Sequence, residues 1–140
     1  MLLAHLLCFG FVICLRDYRE HLISKRVTHL ALITLVPLVD GSILQAAIMA
    51  FINFAIYAIL KAISPQGIGS GDIRLSILIG FYISAFGGGE YELIWCNTVS
   101  WLACSITAIF HFLKRESLRE KRVAFAPYLF FGLVCYAMSS

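Results

Sequence analysis

Two aspartates carry the strongest chemical signal in the chain. Asp17 stands in Leu15-Arg16-Asp17-Tyr18-Arg19, and Asp72 in Gly67-Ile68-Gly69-Ser70-Gly71-Asp72-Ile73-Arg74-Leu75. Two carboxylates sharing one proton can divide the work of peptide hydrolysis. The ionised one takes a proton from water while the protonated one polarises the scissile carbonyl. Each aspartate also has a plainer reading, as a helix cap or a residue of the headgroup layer. At Asp72 the glycines at 67, 69 and 71 weigh against it, because they have no side chains, tolerate positive φ and let a backbone lie close to the acid. An aspartate in the first turn of a helix is further favoured as an anion by the helix dipole. On these local residues alone both readings of Asp72 stand.

Other chemistries fit the residues less well. No GK[ST] follows the glycine cluster and no strand precedes it, so neither a phosphate-binding loop nor a dinucleotide fingerprint is expected. Ser70 lies between two glycines, but Ile68 occupies the place where a serine-nucleophile pattern requires glycine. His5, His21, His29 and His111 lack zinc-ligand spacing, so no metal or other cofactor is expected. The five cysteines (Cys8, Cys14, Cys96, Cys104 and Cys135) form no CxxC pair and read as small apolar packing residues. Asn53 and Asn97 sit in apolar runs, where bonding between helices is their expected role. The basic stretch 114–122 reads as a topology signal, with anionic lipid as the lesser alternative. Nothing in the sequence points to nucleic acid.

The elements that must position these acids follow from composition. Of 140 residues, 61% are hydrophobic and 14% charged, and the mean hydropathy is +0.89. Disorder is excluded, and too few polar side chains remain to cover a water-soluble globule. The charges divide the chain into uncharged runs at 1–15, 27–39, 41–60, 75–89, 93–113 and 123–140. A helix crosses a bilayer with about 20 residues, and flanking Lys and Arg can extend a shorter run by snorkelling. Six transmembrane helices are therefore expected, giving an all-α polytopic membrane protein. The alternation that a membrane β-barrel requires is missing.

All 11 Lys and Arg residues fall at 16–26, 61–74 and 114–122, the first, third and fifth connections, while the second and fourth hold only Asp40, Glu90 and Glu92. The positive-inside rule then predicts cytoplasmic basic loops and both termini outside. The first run has no basic n-region and no cleavage site, so it reads as a retained helix. Asp17 and Asp72 fall on the same predicted side, at similar depth.

Taken together, these residues resemble the type IV prepilin peptidases. Gly69-Ser70-Gly71-Asp72-Ile73-Arg74-Leu75 is similar to that family's GxGD motif, which is usually followed by x-Lys-Leu. Asp17, just after the first helix, is similar to its other catalytic aspartate. Phe125-Ala126-Pro127-Tyr128-Leu129 resembles the stretch that opens its last helix. Ile23-Ser24-Lys25 stands where the family has Ile-Pro-Asn, and Arg74 where it has Lys. The large cytoplasmic loop with two CxxC pairs, associated with N-methylation, is absent, so the likeness is to the short, peptidase-only forms.

The resemblance implies a single transmembrane peptidase domain over 1–140, with Asp17 and Asp72 catalytic and Gly69 and Gly71 forming the motif loop. It implies cleavage of the short basic leader from a prepilin or pseudopilin at the cytoplasmic face of a prokaryotic inner membrane. The substrate and the lipid bilayer are the expected partners. The competing class is a non-catalytic small transporter or assembly subunit that uses the two aspartates as an ion or salt-bridge site. A transporter places acids near the midplane, and no Asp or Glu lies deep in any predicted span.

Overall fold

Each of the six uncharged runs is carried by one helix. The structure, a computed structural model, describes every residue other than His21, Gln66, 114–123 and Ser140, and every side chain among them except those of His111 and Phe112. Among the described residues the elements are α1 (Leu2–Glu20), α2 (Lys25–Leu35), α3 (Ile43–Ile63), α4 (Ser70–Ala85), α5 (Glu90–Leu113) and α6 (Ala126–Ser139), with no strand. The chain is all-α, as its composition predicts. By length and composition, α3 and the 90–110 stretch of α5 are apolar enough to cross a membrane. The second run gives a shorter helix than its apolar length allows. Pro37 has no N–H to donate, and the chain tightens into a 3₁₀ turn at Val36–Leu38.

Local chemistry sets the helix ends. Ser42 Oγ accepts the Gln45 N–H at 3.4 Å at the start of α3, and Glu92 Oε2 accepts the Gly89 N–H at 2.8 Å at the start of α5. Pro127, in the first turn of α6, gives up no intrahelical bond. Gly87 ends α4 with φ 81°. There the Gly88 N–H reaches Ile83 O at 2.8 Å and the Gly87 N–H reaches Ser84 O at 2.9 Å, a Schellman arrangement that only a residue at ease in the left-handed region makes cheaply.

The core is built around α4, which packs against α3, α2 and α6. Its Leu75, Leu78, Ile79, Tyr82 and Ile83 are buried. Small residues allow close approach. A Cβ on Gly80 would meet the Ala50 backbone at 2.6 Å, and one on Gly132 would meet the Cys96 carbonyl oxygen at 2.5 Å, so α3 touches α4 and α5 touches α6 nearly backbone to backbone. Outward-facing positions stay apolar, as at Leu7, Phe11, Leu44, Phe51, Leu102 and Ile106. An apolar exterior of this kind marks a surface meant for something other than water.

Side-chain contacts fix the helix directions. His5 on α1 bonds Tyr82 near the end of α4, whereas Asp17 at the end of α1 bonds Ala126 at the start of α6. Asn53 on α3 reaches Ser76 on α4, and Asn97 on α5 reaches back to Asn53. Consequently the end of α1, the start of α2, the end of α3 and the starts of α4 and α6 meet at one end of the bundle. Arg16, Arg19, Lys25, Arg26, Lys61 and Arg74 lie on those termini, which make up its basic end.

Candidate active site

Asp17 occupies the last turn of α1 and is 6% exposed. Its Oδ2 accepts the backbone N–H of Ala126, 109 residues away in sequence, at 2.9 Å. That N–H is one of the orphan donors at the start of α6, so a charged acceptor there both satisfies it and complements the helix dipole. Asp72 is the third residue of α4, and its Oδ2 accepts the Gly69 N–H at 3.0 Å. This is half of a capping box, because glycine has no side chain to return a bond.

Asp72 stands ahead of the uncharged run that begins at Leu75. Burial pushes its carboxyl up to about 6, the Gly69 N–H opposes that rise, the charge of Asp17 adds to it, and the Lys61 ammonium counters it. The two acids expected from the sequence are thus brought to the same end of the bundle, within electrostatic reach of one another. Their hydrogen-bond partners among the described residues are backbone N–H groups. The start of α6 takes part as well, since it carries the N–H that Asp17 holds.

The motif glycines behave differently from one expectation. Gly69 has φ −71° and ψ 151°, ordinary extended backbone. Among the described glycines, Gly87 has the positive φ. What Gly69 and Gly71 supply is space. A Cβ on Gly69 would sit 3.0 Å from Asp72 Oδ2, and one on Gly71 would sit 2.9 Å from the Cβ of Ile23. Ile23, just before α2, therefore closes directly over the first turn of α4. Ser70 opens α4 and is exposed.

Sequence reasoning gave other polar residues correctly in kind but without their partners. Asn97 Nδ2 donates to Asn53 Oδ1 at 2.8 Å, and Asn53 Nδ2 donates to the Ser76 carbonyl at 2.8 Å, the bonding between helices expected of them. The five cysteines are free thiols, with Cys96 buried. His5 bridges three helices through Tyr82 and Thr34 at the end away from the acids, and His29 is exposed. His21, the side chain of His111 and the basic stretch 114–122 lie outside the described residues. Tyr57 and Lys61, both within electrostatic reach of Asp72, were missed. Tyr57 had only its polar oxygen inside the run 41–60 as a signal, and Lys61 was read for topology alone.

Fold and site together define a helical bundle with an apolar exterior and two acidic side chains converging at its basic end. The model of the type IV leader peptidase family matches residues 4–113, and the chain belongs to that family. The match takes in Asp17 and the Gly69–Asp72 loop and ends before α6. The family implies a peptidase, and with the two long apolar helices it points to a membrane protein. Comparison with curated proteins and with solved structures gave no match.

Proposed function

We propose that this protein is an intramembrane aspartic endopeptidase that removes the short basic leader from type IV prepilins or pseudopilins. On this reading all six helices span the inner membrane of a prokaryote within one domain. The basic connections and both aspartates face the cytoplasm, and the termini lie outside. The observation that carries the proposal is the convergence of Asp17 and Asp72, one buried on an N–H of α6 and the other with its carboxyl raised partly by its neighbour's charge.

The chemistry follows from that asymmetry. A pair that resists holding two negative charges keeps one proton, and the raised group is the one that keeps it. Asp72 then donates a hydrogen bond to the scissile carbonyl, while ionised Asp17 takes a proton from the attacking water. The tetrahedral intermediate collapses as the pair returns a proton to the leaving amine, so no cofactor is needed. The acids lie at the level where a basic leader would join a hydrophobic helix, and Asp17 and Glu20 add negative charge to an otherwise basic surface.

The test is incubation of the purified protein in detergent or liposomes with a prepilin carrying its leader. A product shortened by the leader length is expected, and none with Asp72→Asn. An intact prepilin with the wild-type protein, or cleavage by Asp72→Asn at the wild-type rate, overturns the proposal.

A further inference from the structure

A continuous chain of polar side chains joins α5, α3 and α4. Trp101 Nε1 donates to Tyr57 Oη at 3.0 Å, and the Tyr57 hydroxyl donates to Asn97 Oδ1 at 3.1 Å. Asn97 Nδ2 donates to Asn53 Oδ1 at 2.8 Å, and Asn53 Nδ2 donates to the Ser76 carbonyl at 2.8 Å. The bonds run head to tail, crossing between α5 and α3 three times before reaching α4, so each polarises the next. Tyr57 and Asn53 are fully buried and Asn97 is 2% exposed.

Two members of this chain, Ser76 and Tyr57, adjoin residues that flank or hold the two acids. Ser76 is one turn beyond Asp72, and its Oγ donates to the carbonyl of Ile73, the residue next to Asp72, at 2.7 Å. Further along, the Tyr57 ring packs on the Phe125 ring, with centroids 6.1 Å apart and planes at 50°. Phe125 immediately precedes Ala126, whose N–H holds Asp17. A helix-packing role alone would need only the asparagine pair. It would not need a tyrosine whose ring packs on Phe125, just before α6, while its hydroxyl bonds Asn97, the partner of the asparagine that holds α4.

We propose that Tyr57 is a positioning residue for the carboxylate pair. Its ring holds Phe125 so that the Ala126 N–H stays on Asp17, and its hydroxyl fixes, through Asn97 and Asn53, the turn of α4 that follows Asp72. Tyr57 touches neither the peptide bond nor the attacking water and acts only by setting the distance between the two acids. The proposal rests on the peptidase reading for its effect on rate, but not for its effect on geometry.

Tyr57→Phe and Tyr57→Leu in the full chain separate the two arms. Tyr57→Phe keeps the ring on Phe125 and loses the hydroxyl, whereas Tyr57→Leu loses both. Two readouts are used, steady-state cleavage of a prepilin and titration of ¹³C-labelled aspartate carboxyls by NMR in detergent. The expected result is a kcat lowered about tenfold in Tyr57→Phe and about a hundredfold in Tyr57→Leu with KM little changed, the span of a misplaced acid–base group. In Tyr57→Leu the Asp72 carboxyl should also titrate lower, toward the ordinary aspartate range, as its coupling to Asp17 weakens. Folded Tyr57→Leu with the wild-type titration, or with wild-type kcat, overturns the proposal. If Tyr57→Leu does not fold, an unchanged titration and kcat in Tyr57→Phe overturn it instead. If the wild-type protein cleaves no prepilin but the Asp72 titration still moves in the variants, the positioning role stands and the peptidase reading falls.

Discussion

Replacing either acid by its amide separates charge from shape. An asparagine at 17 or 72 can still accept an N–H through its carbonyl, so the bonds from Ala126 and Gly69 can persist and both variants should fold. Neither can supply an ionised base or share a proton. General acid–base groups are worth about 10²–10⁴-fold each, and groups that act as one unit are strongly non-additive. Asp17→Asn and Asp72→Asn are each expected to abolish detectable leader cleavage, and the double variant should be little worse. Ser70→Ala, at an exposed helix start, should keep substantial activity, and Arg74→Lys should be mild. A dead Ser70→Ala beside an active Asp72→Asn would exclude the aspartyl mechanism.

The raised Asp72 carboxyl gives a pH dependence with a definite sign. Its value of about 6 exceeds the ordinary 3.8 because of burial first and the Asp17 charge second. The proton needed for catalysis is therefore lost as pH rises through about 6, and kcat/KM, which reports the free enzyme, should fall across that interval. A bound substrate deepens the burial, so the corresponding limb of kcat should lie at higher pH. Linkage gives the same sign for stability. The folded protein holds this proton more tightly than the unfolded chain, so stability should rise as pH falls from 7 through 6 and level off below about 4. Asp72→Asn should remove that component, as thermal melts in detergent across the range would show.

At the scale of helices, glycine placement decides how closely the bundle closes. A Cβ on Gly80 would meet only backbone atoms of α3, and one on Gly132 would meet the Ser100 hydroxyl and the Cys96 carbonyl oxygen of α5; the backbone atoms cannot rotate away. Gly80→Ala and Gly132→Ala should each cost roughly 1–3 kcal/mol by forcing helices apart. Gly41→Ala, with nothing within 4 Å of its Cβ, is the control and should be nearly neutral. Denaturant unfolding in a fixed detergent would rank the three. Gly71→Ala presses on the Ile23 side chain and Gly69→Ala on the Asp72 carboxylate. Both should lower activity more than stability, and Ile23→Ala should partly rescue Gly71→Ala by returning the space.

For the whole molecule, helix directions and charge agree. The described basic residues lie on helix termini that meet at one end, the end that holds both acids. A membrane with a cytoplasmic excess of positive charge would orient that end inward. Reporter fusions or cysteine labelling should find residues near Asp40 and Gly87 outside, those near Lys25 and Lys61 inside, and a fusion after Ser140 outside. A cytoplasmic reporter after Ser140 would sink the six-span arrangement.

The sequence by itself determined the all-α class, the six helices and the pair of acids. Uncharged runs bounded by Lys and Arg, and an aspartate behind a glycine-spaced turn, are one-dimensional patterns that survive without coordinates. It also marked Asn53 and Asn97 as polar groups that must find partners in an apolar run. It could not say which partners, because a hydrogen bond between α3 and α5 depends on helix rotation and not on spacing along the chain. The role of Gly69 and Gly71 was legible only in part. A glycine can serve conformation or space, and only the position of Ile23 and of the Asp72 carboxylate decided for space. Tertiary structure alone decided that the N-terminus of α6 completes the surroundings of Asp17, and that Tyr57 packs on Phe125 beside it. Those contacts join residues separated by as many as 109 positions, and a contact of that range is fixed by how the helices pack, which no local pattern encodes.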